Sequence, residues 1–211
     1  MTYNPLIRLL GSSLLTAVLL VGSRPLHAQN AGDFQITKIE VSMPPTPLVT
    51  FSGTPRGTGN SKKWLEIEAS FFWKPSLSTT KYSDNVVLNY YVLLKNPSVQ
   101  FPHGTLLSGQ VTHSGFPSRQ IEQGDLKSVM YISPRTLEQF FQGRVPFSSD
   151  SAVVDVGVTI SQQGQVVAMK SYKGTGAWWL QMQQTSGFLL NKDETPFAPL
   201  YWDYYEPVKK Q

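Results

Sequence analysis

The chain has 211 residues, a formal net charge of +4 and no cysteine. The missing cysteine excludes thiol catalysis, cysteine metal sites and a disulfide framework, so a secreted domain of this size must hold together by packing alone. The small basic excess forms no clustered stripe, which argues against nucleic-acid binding.

The chain opens with the layout of a secretory signal peptide. Arg8 supplies positive charge, Leu9 to Val21 is an apolar run broken only by small or hydroxyl residues, and Pro25-Leu26-His27-Ala28 ends on a small residue suited to cleavage. The run is short for a membrane span of about 20 residues; an uncleaved anchor is the competing reading. No cysteine follows it, so a lipoprotein anchor is excluded. Residues 1–28 are therefore expected to be removed on export, leaving 29–211 as a single domain. Without Arg8 and Arg24, 16 Lys+Arg face 14 Asp+Glu.

Phe34 to Met43 alternates as a strand whose phase slips near Lys38, which predicts a β-bulge. Pro44, Pro45 and Pro47 end it, and Leu48 to Phe51 is a candidate edge segment. Residues 52–62 are rich in turn residues but lack the Gly-x4-Gly-Lys-Ser/Thr spacing of a phosphate loop, and a strand rather than a helix follows. Trp64 to Trp73 is the central strand. Leu65, Ile67, Ala69, Phe71 and Trp73 form its core face, while Trp64, Glu66, Glu68, Ser70 and Phe72 fall on a face expected to meet mostly solvent.

After the polar loop Lys74–Asp84, Val86, Leu88, Tyr90, Val92 and Leu94 share one face of a long strand. Thr105 to His113 is a weaker strand, 115–124 a loop, and Leu126 to Ile132 another strand with Leu126, Ser128, Met130 and Ile132 in phase. One short helix is marked by Ser133 as N-cap and Pro134 at the first helical position. Leu137, Phe140 and Phe141 form its apolar face, Ile132 and Leu137 a hydrophobic staple, and Gly143 its end. Ala152, Val154, Val156, Val158 and Ile160 share a strand face. Gln162-Gln163-Gly164 turns the chain and Gln165 to Tyr172 returns, a hairpin pattern. Trp178 to Met182 reads as the last strand. Short strands at regular intervals with one helix predict an all-β, immunoglobulin-like antiparallel β-sandwich, preferred over a jelly roll or another β architecture.

The most distinctive stretch is the tail, Leu189-Leu-Asn-Lys-Asp-Glu-Thr-Pro-Phe-Ala-Pro-Leu-Tyr-Trp-Asp-Tyr-Tyr-Glu-Pro207. Together with Trp64-Leu-Glu-Ile-Glu68 and the Ser133-Pro134 helix start, it resembles the secreted pilus-like proteins of Verrucomicrobia, found with the type IV pilus genes of Akkermansia-type bacteria. The resemblance covers most of the mature chain and is most specific over Thr195 to Asp203. It implies an immunoglobulin-like fold, an envelope location in the periplasm, at the outer membrane or on the cell surface, and a pilus-associated role without known catalysis. No long amphipathic N-terminal helix of a major pilin is present, so an accessory role fits better than a subunit. The implied partners are other envelope or pilus-assembly proteins.

No residue pattern points to catalysis, a metal or a cofactor. Glu66 and Glu68 lie about 7 Å apart along one strand face, whereas glycosidase carboxylates converge from different elements across a cleft. His103 and His113 are the only histidines after residue 28, and a metal would need further ligands, for which Asp84 and Glu122 are the nearest suggestions. No Gly-x-Ser-x-Gly elbow is present. These two acids and two histidines are expected to be exposed and replaceable with little effect on stability.

Two functions remain. One is a non-catalytic envelope interaction protein. The other is a carbohydrate- or ligand-binding sandwich that uses Trp64, Phe72, Trp73 or Trp202 as stacking platforms. The tail supplies the candidate aromatics Phe197, Tyr201, Trp202, Tyr204 and Tyr205. Phe197, Leu200, Tyr201, Tyr204 and Tyr205 fall at i, i+3, i+4, i+7, i+8, one face of a short helix that Pro199 makes awkward. Either these rings clamp the end of the sandwich and complete its core, the preferred reading, or they form an exposed patch for a partner.

Overall fold

A computed structural model describes residues 34–47, 61–74, 82–83, 85–96, 98, 102–114, 116–117, 125–201 and 204–210. The expected signal peptide, the Leu48–Phe51 segment and Trp202 lie outside the described residues, as do Asp84 and Glu122. At the centre of one sheet is β2 (Leu65–Trp73), where Leu65, Ile67, Ala69 and Phe71 are wholly buried. β1 (Phe34–Ser42) pairs antiparallel with it, and the register slips between Ile36 and Lys38, where the phase of the sequence slips. On its other side lies β7 (Leu126–Ile132), whose far edge takes the short β11 (Leu189–Asn191). The sheet order is β1-β2-β7-β11.

The facing sheet has the order β10-β5-β4-β8-β9. Its middle strand β4 (Val86–Leu94) sends Val86, Leu88, Tyr90, Val92 and Leu94 into the core, as the alternation predicts. β5 (Leu106–His113) and β8 (Val153–Gln162) flank β4, and β9 (Gln165–Ser171) follows β8 through a tight turn. Gln163 and Gly164 both take positive φ, 51° and 77°, as the favoured two-residue hairpin turn requires. β10 (Gln184–Ser186) runs parallel to β5, the one departure from antiparallel pairing in these two sheets among the described residues. A two-residue ladder joins Tyr82–Ser83 (β3) to Phe116–Pro117 (β6). The result is an all-β sandwich whose main core lies between the sheets. No helix among the described residues is long and apolar enough to cross a membrane.

The helix expected after β7 spans Pro134–Phe140 (α1). The Ser133 hydroxyl accepts from the Thr136 N–H, and Leu137 is buried against the core. A second single-turn helix, Ser149–Ala152 (α2), precedes β8 and opens with a Ser148/Ser151 capping box. It changes the reading of the next strand. A register shift between Leu93 and Leu94 buries Val153 and leaves Val154 39% exposed, so Val154 does not share the core face with Val156, Val158 and Ile160.

Trp178–Met182 is not a strand. Residues Trp178–Gln181 form a 3-10 turn. Its driving force is burial of Trp179, which is 1% exposed and stacks on Tyr91 with ring centroids 5.2 Å apart. It seats over Gly157, where an added Cβ would come within 2.2 Å of the indole. Trp179 thus covers Leu93 and Leu106 on the outer face of the five-stranded sheet.

Candidate interaction surface

The chain from β10 onward passes over both sheets. β10 takes the edge of β5 and β11 the edge of β7. An Asn191/Glu194 capping box then starts a 3-10 turn, Lys192–Glu194. The Thr195 hydroxyl donates to the Lys192 carbonyl (2.7 Å) and accepts from the Phe197 N–H (3.2 Å). The Lys192 ammonium, largely buried, donates to the Ala198 carbonyl (2.9 Å), and desolvation holds its pKa below the usual lysine range. Instead of the expected helix, this segment is a series of turns. Pro196 and Pro199 cannot donate the N–H bonds a helix needs, and Tyr201 sits at φ +57°.

These turns place Phe197 flat on Tyr131, with centroids 4.7 Å apart and planes 5° from parallel, and edge-on to Trp64 at 5.7 Å. Tyr205 donates its hydroxyl to Glu68 (2.9 Å), and Lys127 pairs with the same carboxylate at 2.6 Å. The Lys127 ammonium also lies 4.2 Å from the centre of the Tyr204 ring and bonds its hydroxyl. Burial, the largest single influence, works against its charge, but the hydrogen bonds and charges of Glu68 and Tyr204 together outweigh it and raise its pKa. The Tyr131 and Tyr205 phenols are pushed up, chiefly by burial and then by the Glu66 charge.

The supposed solvent face of β2 is therefore largely covered. Trp64, Glu68 and Ser70 are buried and Glu66 is half-buried. Trp64 and Trp73 are buried and Phe72 is half-buried, so these rings are not the exposed platforms that a ligand-stacking sandwich would use. Of the tail aromatics, Phe197 is buried and Tyr205 half-buried, whereas Tyr201 and Tyr204 are 59% and 48% exposed. Tyr201, Tyr204 and Tyr205 form one group, with centroids 6.3, 6.4 and 4.9 Å apart. The sequence offered one clue to the cover: two aromatic residues, Trp64 and Phe72, on a face read as solvated.

The chain then crosses back between the sheets. The Glu206 N–H donates to the Lys127 carbonyl (2.9 Å), and the Lys209 N–H to that of Thr112 (2.8 Å). His113, expected to be exposed, is 1% exposed beneath this crossing. Its Nδ1 lies 3.1 and 3.2 Å from the Glu206 and Pro207 carbonyls and its Nε2 2.7 Å from the Ser128 hydroxyl. Carbonyls only accept, so Nδ1 carries the proton and Ser128 donates to Nε2. Burial lowers the His113 pKa to about 4. His103 is exposed in the turn before β5, so the structure does not bring the two histidines into one site. The Ser128–His113 pair resembles part of a hydrolytic triad in its contacts, but both residues are buried. An open groove of about 790 Å³ lies under the crossing, lined by His113, Lys192, Asp193, Tyr205, Glu206 and Lys210 among others.

Fold and surface together define an all-β sandwich wrapped by an aromatic C-terminal strap. Residues 25–211 match a protein-family model, and the chain belongs to that family. A solved structure from Akkermansia muciniphila is similar, with a TM-score of 0.66 and 22% identity over 85% of this chain and 93% of that one. At that identity the likeness concerns the fold. No curated protein matches the chain.

Proposed function

We propose that the protein is an exported, non-catalytic interaction module of the cell envelope, an accessory to a pilus-type assembly, working through its C-terminal strap. The observation that carries this reading is the division of labour among the strap aromatics. Phe197 and Tyr205 fasten the strap to β2 and β7, while Tyr201 and Tyr204 on the same turns face outward. Tyrosines on a rigid base are frequent anchors at protein interfaces. The enclosure of Ser128 and His113 supports a structural rather than catalytic use of that pair. Export rests on the signal-peptide layout, which places the mature start near Gln29; intact-mass measurement of the exported protein checks it.

The test is affinity capture from envelope extracts with the exported protein and with a Tyr201→Ala/Tyr204→Ala variant. A partner retained by the first and lost by the second, at unchanged melting temperature, is the expected result. Equal retention by both, or hydrolytic activity that disappears with His113→Gln, would overturn the reading.

A further inference from the structure

Resting on the reading of the strap as a docking surface, we infer that its exposed tyrosines and Glu66 form a receptor for an arginine side chain of the partner. Glu66 is half-buried beside the tyrosine group. The Ser42 hydroxyl donates to one of its oxygens (2.9 Å), yet no Lys or Arg pairs with it among the described residues. Glu68, two residues along the same face, is already paired with Lys127. The Tyr131 hydroxyl is buried, with Glu66, Tyr205 and Tyr201 the groups around it. A carboxylate that meets no cation among the described residues thus lies next to exposed rings.

The surface already holds one cation in this way, since Lys127 lies over the Tyr204 ring while its charge is met by Glu68. A guanidinium can repeat the arrangement on the vacant half. It is planar and stacks on an aromatic face while its N–H fork reaches a carboxylate, which a compact ammonium cannot do. Tyr201 would be the stacking face and Glu66 the acceptor. Tyr201 holds a left-handed backbone that bulky residues seldom adopt, and it gains little burial there. That cost is understandable if the exposed ring serves a partner.

The experiment titrates the isotope-labelled exported protein with three acetylated, amidated pentapeptides, carrying two arginines, two lysines or two glutamates, and follows amide and tyrosine-ring NMR signals. Saturating shifts confined to Glu66, Tyr201, Tyr204 and Tyr205 and their immediate neighbours among the described residues are expected with the arginine peptide, weaker with lysine and absent with glutamate. Glu66→Gln should weaken the arginine response about tenfold, the scale of one charge-assisted hydrogen bond. Silence at these residues, or an equal response to arginine and glutamate, would overturn the inference. If affinity capture still depends on Tyr201 and Tyr204 while the arginine peptide is silent, the surface stands and only this ligand chemistry falls.

Discussion

Phe197 stacks on Tyr131 across 66 residues of sequence, with centroids 4.7 Å apart and planes nearly parallel. The contact makes the outer face of β7 a second small core, shared with Trp64 and Val129. Phe197→Ala should therefore cost about 3–5 kcal/mol, a large part of the roughly 5–15 kcal/mol that a domain has. Urea denaturation measures it, and ending the chain before Pro196 should leave the domain molten or unfolded. A truncated protein that melts within a few degrees of the intact one would show that Phe197 and Tyr205 decorate the sandwich rather than close it.

His113 sets a pH dependence. Its folded pKa, about 4, lies below the ordinary 6.5, so the unfolded chain takes up the proton first. Stability is then full above about pH 6.5 and falls as the pH drops towards 4, by up to roughly 3 kcal/mol. His113→Gln should be less stable at pH 7.5 but lose much of this slope. Chemical denaturation at pH 7.5 and 4.5 provides the comparison, and parallel slopes in the two proteins would exclude the histidine as its source.

The Glu68–Lys127 pair should matter more than a surface ion pair, because the Glu68 and Lys127 side chains are only 10% and 21% exposed. Lys127→Ala leaves Glu68 with the Tyr205 hydroxyl alone. Breaking a fully buried pair costs about 3–5 kcal/mol; partial exposure reduces this to about 1–3 kcal/mol. His103→Ala, by contrast, should stay within about 0.5 kcal/mol. A double-mutant cycle with Glu68→Gln would isolate the pair, and coupling near zero would contradict it.

At Gly157 the backbone touches the face of Trp179, so Gly157→Ala must push the indole off Tyr91. A cost of about 1–3 kcal/mol is expected, with a change in tryptophan fluorescence that marks where the strain goes. Unchanged stability and emission would mean that the indole has room to move.

The inward faces were legible in the sequence because each rests on local alternation: Leu65 to Trp73, Val86 to Leu94, and the phase slip at Lys38. The outward faces were not. What covers Glu68 is Tyr205, 137 residues away, and alternation carries no information about such a cover. Trp178-Trp-Leu180 misled for another reason. A short apolar run fits a strand or a turn equally, and only Gly157, across the five-stranded sheet, decides it. His113 looked free because its acceptors are carbonyls of Glu206 and Pro207, which no side-chain pattern records. The strap was read as either clamp or patch; it divides between them, residue by residue.

The bare edges of β5 and β7 are taken up by residues made after every strand they complete. As the chain leaves the ribosome, the sheets emerge first, with Trp64, Tyr131, Leu93 and Leu106 uncovered and both flanking ladders unpaired. The sandwich cannot lock until β10, β11 and the Lys127 and Thr112 crossings arrive. This order of synthesis acts as a delay, because the closing piece emerges after the sheets that it closes.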